Sequence, residues 1–379
     1  MFRGSIFLAQ KCSGNEPVKT DVSGRYSDFD GNGGCAGFSP YFPLIRTAPE
    51  PDDTIIHLFS AFFRRIFNIS SIKERVKKNI NIMPERDIMI GTGLQADQHQ
   101  IECGGNMGFL NVERTIIDLG TQRPYKLIQI SDTHAVSLSP DQTGEELERA
   151  KQQENFWMKG KAHFAHLFGE KYDESECAIH SSECLQKEIE YINSEAPDAA
   201  LLTGDMIDYP SSANDELLRR SIRCINTPVL FTCGNHERPA DRYNDVCING
   251  DASFQVIEFD DLRLVGLDDS RKTISRMQLE KLQKVTENDK KTVICMHIPV
   301  KTASNRDEMI SYEDYYTIDS ESCDSDSREF IKYISERETV RLVLCGHCHG
   351  ASQSEFAPGK KQLICSSGLI GYIREIIIH

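Results

Sequence analysis

From residue 111 onward the chain alternates short apolar runs with segments of helical period. The runs are "ERTIIDL", "YKLIQIS", "DAALLTG", "TPVLFTC", "SFQVIEF", "LRLVGLD", "KTVICMH", "VRLVLCG", "KQLICSS" and "YIREIIIH". Most are rich in Val, Ile and Leu on consecutive positions, the pattern of strands buried on both faces. Between several of them lie stretches of 3.6-residue period at 183–195, 214–225, 275–287 and 326–337. The pattern predicts an α/β fold with sheets covered on both faces. No internal repeat is visible.

The preceding 110 residues read differently. Residues 1–50 are rich in Gly, Ser, Asp and Pro without a sustained period, which predicts a flexible N-terminal arm. Within it "GNGGCA" has the spacing of a dinucleotide-binding turn, but no apolar strand precedes it, so it reads as a flexible turn. Residues 51–110 read as an accessory helical extension. In 54–78, Leu58, Phe59, Phe62, Phe63, Ile66 and Phe67 share one side and basic residues gather toward the end. This suits a helix docked on the main domain, its cations favouring its own C-terminus, and secondly a peripheral helix on an anionic membrane.

Composition narrows the class. The 379 residues carry 39% hydrophobic and 27% charged side chains, and no run approaches the ~20 apolar residues of a membrane span. "MFRGSIFLAQKC" has a short apolar core followed by polar "QK", so no signal peptide is read. Thirteen scattered cysteines in so large a chain suit thiols in a reducing, cytoplasmic compartment. Acids and bases balance through Leu110, so the net charge of −15 belongs to 111–379. An acidic domain is a poor partner for nucleic-acid polymers, whereas acids that converge on cations are one use for such charge.

The chemistry sits where the apolar runs stop. "YKLIQIS" leads into Asp132-Thr133-His134, "DAALLTG" into Asp205 and Asp208, and "TPVLFTC" into Gly234-Asn235-His236-Glu237. "KTVICM" leads into His297, and "VRLVLC" into Gly346-His347-Cys348-His349. Ligands bind beyond the carboxyl ends of strands in open α/β sheets, so groups distant in sequence can converge there. Imidazoles with carboxylates and an Asn carbonyl suit first-row dications better than Ca or Fe–S clusters, and eight candidate ligands are too many for one ion. Taken singly, His297 reads as a core or surface histidine, Asp208 as a loop or cap residue and Asn235 as a turn. Five such groups in order at strand ends read together as a metal site.

The ordered set D-x-H, G-D-x-x-D, G-N-H-E, a His after a strand, and G-H-x-H resembles the calcineurin-like metallophosphoesterase superfamily, over about 111–379. The resemblance implies two packed mixed β-sheets flanked by helices, with a dinuclear metal site at the strand ends. It implies two divalent or mixed-valence ions, Mn, Fe or Zn being the candidates. Asp132, His134 and His349 would hold one, Asn235, His297 and His347 the other, and Asp205 would bridge them. His236 would face the substrate, a small phosphate ester, with Asp208 orienting it. Two metals ~3.5–4 Å apart can acidify a bridging water and clamp phosphoryl oxygens, while an imidazole serves the leaving group.

The chain departs from the phosphoprotein phosphatase branch, whose second motif carries an Arg where Tyr209 and Pro210 follow Asp208 here. The "ISDTH" and "GHCHG" wording looks more like the phosphodiesterase-type branches. A phosphodiesterase is therefore expected, with a phosphomonoesterase of the same fold as alternative, and a scaffold that keeps the metals without turnover as a more distant one. The long connection at about 138–182, carrying the only tryptophan, Trp157, reads as a helical insertion, either packed on the surface or capping the site. Cys345-Gly346-His347-Cys348-His349 also fits the C-x-x-C-H pattern of haem attachment, a reading that needs export and an axial ligand and finds neither.

Overall fold

The computed structural model describes residues 97–98, 109–168, 179–309 and 316–379. The 1–50 arm with its "GNGGCA" turn, the 54–78 segment and almost all of the 51–110 extension lie outside them.

Two six-stranded sheets dominate. The first joins β1 (Asp97–Gln98), β2 (Asn111–Ile117), β3 (Tyr125–Ile130), β4 (Ala199–Thr203), β5 (Val229–Thr232) and β14 (Tyr372–Ile378), in the order β1-β2-β14-β3-β4-β5. The second joins β6 (Phe254–Glu258), β7 (Leu262–Leu267), β8 (Lys291–Cys295), β11 (Val340–Cys345), β12 (Ser352–Ala357) and β13 (Lys360–Ile364), in the order β12-β13-β11-β8-β7-β6. Both are mixed. β3, β4 and β5 run parallel while β14 is antiparallel to β3. β7, β8, β11 and β13 run parallel with antiparallel strands at both edges. A short parallel pair, β9 (Val300–Lys301) and β10 (Ile318–Asp319), stands beside them.

Period-2 alternation explains the layering. In β3, Tyr125 and Leu127 enter the core between the sheets, and Ile128 and Ile130 the core beneath helices. β7 and β11 do the same from the other side: Leu262, Leu264, Leu342 and Leu344 join the inter-sheet core, Val265, Leu267 and Val343 the outer one. Helices α2 (Ser181–Glu195) and α3 (Ser212–Arg223) cover the first sheet through Leu185, Ile189, Ile192, Leu217, Leu218 and Ile222. Helices α4 (Arg276–Val285) and α5 (Ser325–Glu336) cover the second through Leu279, Leu282, Phe330, Ile331 and Ile334. The result is a helix–sheet–sheet–helix stack, in which each fully buried Leu or Ile contributes ~1.5–3 kcal/mol. The expected strands are present to within a few residues. The alternation did not reveal β12, "SQSEFA", a polar edge strand, nor the two-residue β9 and β10.

One helix stands apart from this layering. α1 (Gly144–Phe168) occupies the long connection between β3 and α2, and its Ala150 and Trp157 form a small core with Val136, Tyr209 and Leu369. Among the described residues no helix is long and apolar enough to cross a membrane.

Candidate metal centre

β3, β4 and β5 of the first sheet and β8 and β11 of the second bring their C-terminal ends together, and the sequence-predicted donors sit on the first turns beyond them. Asp132 and His134 follow β3, Asp205 follows β4, Asn235 and His236 follow β5, His297 follows β8, and His347 and His349 follow β11. Five of the seven described non-glycine residues with positive φ are Asp132 (54°), His134 (47°), Asp205 (53°), His347 (68°) and His349 (56°). A left-handed residue ends strand pairing at once, at a cost on the order of 1 kcal/mol each, and such strain persists where surrounding structure enforces it. Here the enforcement is partly backbone to backbone: Asp132 N donates to Gly204 O, His134 N to Asp205 O and Gly346 N to His297 O, at 2.9, 2.9 and 3.0 Å.

Two donor clusters result, joined by a third group. Asp132, His134 and His349 offer three ligand atoms within 4.8 Å of one another, so do Asp205, His297 and His347, and so do His134, Asp205 and His236, which overlaps both. In the first, His134 Nε2 and His349 Nε2 are 3.0 Å apart, with His349 Nε2 3.4 Å from Asp132 Oδ1. In the second, His297 Nε2 lies 3.1 Å from Asp205 Oδ2 and 3.2 Å from His347 Nδ1. Asp205 Oδ2 is also 3.9 Å from His134 Nε2, so this carboxylate stands between the clusters. The buried Oδ1 of Asn235 has no hydrogen-bond partner among the described residues, and a buried amide oxygen left this way suits a cation. Neutral nitrogen, carboxylate and amide oxygen donors in two groups sharing one carboxylate fit a pair of metal ions.

Neighbouring groups hold the donors in place. His297 Nδ1 donates to Thr203 O at 2.7 Å; a carbonyl only accepts, so the proton is on Nδ1 and Nε2 faces the cluster. His347 N donates to both oxygens of Asp132, and His236 N to Asp205 Oδ1 at 2.9 Å. Two glycines allow these close approaches. A Cβ at Gly346 would overlap Ser131 and Asp132, and one at Gly234 would overlap Asp205. Buried carboxylates gather the backbone: Glu237 accepts from the N–H groups of Gly234, Asp205 and Ile207, and Asp269 from those of His297 and Ile298. Neither role is legible in the sequence. Their function is to satisfy main-chain donors, which leaves no mark on composition or period.

The charges are strongly coupled. Burial alone would raise the carboxyls of Asp132 and Asp205, yet neighbouring imidazoles outweigh it and hold both below the usual range. Burial and the nearby His297 push His347 down to about 3, leaving it a neutral donor. Against the opposing effect of burial, Asp205 draws His297 and His236 up to about 10, an attraction that a divalent cation would equally satisfy.

His236 is the more open group, its side chain about one-third exposed at 32%, which suits contact with an incoming molecule. Its Nδ1 donates to the main-chain oxygen of Asp208 at 2.5 Å, and Asp208 Oδ1 lies 3.5 Å away. The Asp208 carboxylate instead accepts from the indole N–H of Trp157 at 3.0 Å. The thiols of Cys345 and Cys348 are buried in the core beneath α4 and α5, directed at the carbonyls of Leu363 and Tyr316.

Residues 125–351, more than half of the chain, match the calcineurin-like phosphoesterase family. A Synechococcus protein described as a probable cyclic nucleotide phosphodiesterase is 27% identical over 170 residues, covering 42% of this chain and 61% of the relative. The match thus spans less than two thirds of that relative's length. Among solved structures, a dimetal phosphatase from Danio rerio is 12% identical, covers 65% of this chain and 88% of its own, and has a TM-score of 0.41. A purple acid phosphatase from yellow lupin, Lupinus luteus, is 11% identical, covers 68% and 46%, and has a TM-score of 0.38. By its match across residues 125–351, with all five motifs inside that span, the chain belongs to the calcineurin-like phosphoesterase family.

Proposed function

We propose that this protein is a metal-dependent phosphoric ester hydrolase that prefers diesters, with a small-molecule substrate. The observation that carries the reading is the convergence of two donor clusters on the shared carboxylate of Asp205, with the partly exposed imidazole of His236 beside them. In this reading Asp132, His134 and His349 would hold one ion and Asn235, His297 and His347 the other, with Asp205 available to both. Ions bound there would supply Lewis-acid clamping of phosphoryl oxygens and acidify a water to react near neutral pH. The chain's own part is to keep these donors ionised or neutral as required and to present His236. With Nδ1–H engaged by Asp208 O, the His236 ring is fixed so that Nε2 can hold a proton for the departing alkoxide.

The diester preference is supported by the Synechococcus relative's description and by Tyr209-Pro210 standing where a phosphate-binding Arg follows in the protein phosphatase branch. The nine described cysteines are all free thiols, which supports action in a reducing, cytoplasmic compartment. The test is hydrolysis of bis(4-nitrophenyl) phosphate and 4-nitrophenyl phosphate by chelator-treated protein resupplied separately with Mn, Fe, Zn and Mg. Faster turnover of the diester is expected. Faster monoester turnover would make the chain a phosphomonoesterase, and no turnover with any metal would overturn the hydrolase reading.

A further inference from the structure

Trp157 brings the inserted helix α1 to the site. Trp157 is 7% exposed, its ring centroid lies 4.4 Å from that of His134 and 6.1 Å from that of His349, and its N–H donates to Asp208 Oδ1 at 3.0 Å. It therefore touches one donor of the first cluster and the residue that orients His236. The helix is fastened where this contact is made. Glu154, one turn before Trp157, accepts from Ser181 N at 2.9 Å and from the Ser181 hydroxyl, whose oxygen in turn accepts from Val136 N at 2.9 Å, two residues past His134. Arg149 lies 3.8 Å over the ring of Tyr209, next to Asp208, and buried Lys161 donates to Ile179 O at 2.7 Å. Three further ties thus bind α1 to the loops after β3 and β4, or to the start of α2.

Packing alone does not account for this. A residue that only filled the space among Val136, Ala150, Tyr209 and Leu369 would need no N–H, whereas this N–H, at 3.0 Å, lies nearer the Asp208 carboxylate than His134 Nδ1 at 3.4 Å or His236 Nδ1 at 3.5 Å. With one oxygen of Asp208 held by the indole, the residue is pinned in the position from which its main-chain oxygen accepts the hydrogen bond of His236 Nδ1–H. We propose that Trp157 is a positioning residue, through which α1 fixes Asp208 and the ring of His134, so that the inserted helix is a working wall of the metal centre. This rests on the metal-site reading above.

The test uses two readouts on the full chain. Trp157→Phe keeps an aromatic ring against His134 and removes the N–H; kcat on bis(4-nitrophenyl) phosphate should fall ~10-fold or more while KM and bound Mn stay within about twofold. An unchanged kcat would overturn the proposal. Because Trp157 is the chain's only tryptophan, its emission reports on this position alone. Titrating Mn into chelator-treated wild-type protein should quench the emission in step with Mn uptake measured by equilibrium dialysis, and His349→Ala should abolish the coincidence. Mn uptake without any change in emission would sink the positioning role alone. Failure to take up Mn would sink the metal-site reading and this inference with it.

Discussion

The five motifs were readable because each donor is fixed by chemistry at a strand end, where apolar period stops and a His, Asp or Asn must follow. What holds the donors was not. Glu237 lies inside a motif, yet nothing in "GNHE" tells that its carboxylate gathers three N–H groups, and Asp269 in "GLDDS" looks like any turn acid. Both serve the main chain, whose hydrogen bonds carry no residue signature. The left-handed backbone at five donors is likewise invisible in a string of letters. The roles assigned to Asp205 and His236 separate cleanly by experiment. Asp205→Ala removes the carboxylate between the clusters and should leave the dialysed protein with little bound metal by elemental analysis. His236→Ala should keep its metal while losing turnover by ~10²–10⁴-fold, the usual contribution of a proton-transferring group. Equal metal loss in both variants would contradict the division.

At the scale of elements, the strands buried on both faces announced themselves and the partly exposed edge did not. β4 reads "AALLT" with every position buried, while β12 reads "SQSEFA" with alternating exposure and few apolar residues, which a sequence scan takes for a loop. The inserted helix was visible as a helix, but its partner surface was not, because most of its residues are polar and a single indole makes the decisive contact. The inter-sheet layer should dominate stability. Leu344 is fully buried between the sheets, so Leu344→Ala should cost ~2–5 kcal/mol in urea unfolding, through lost transfer energy and the cavity left behind. A shift below 1 kcal/mol would mean that the two sheets collapse onto the gap, contrary to the interdigitated packing described.

For the whole molecule, the acidic excess of the 111–379 region finds part of its use in the buried carboxylates at the donor cluster. A folded chain that gathers donors from both sheets would bind cations that the unfolded chain holds only weakly. Ligand linkage then adds stability, ~2.7 kcal/mol at a free concentration of one hundred times Kd. Chelation should therefore lower the melting temperature and added Mn restore it; identical melting curves with and without chelator would argue against a built site.

The first sheet also has an awkward order of manufacture. Its strand β14, residues 372–378, lies between β2 and β3, which are made more than two hundred residues earlier. At ribosomal speeds that interval is on the order of ten seconds or more. Throughout it, β2 and β3 have no central partner, and their unpaired edges are open to other chains or to chaperones. The donors after β3 therefore wait on a strand that the ribosome has yet to release, and the candidate metal centre can be completed only after synthesis has passed residue 378.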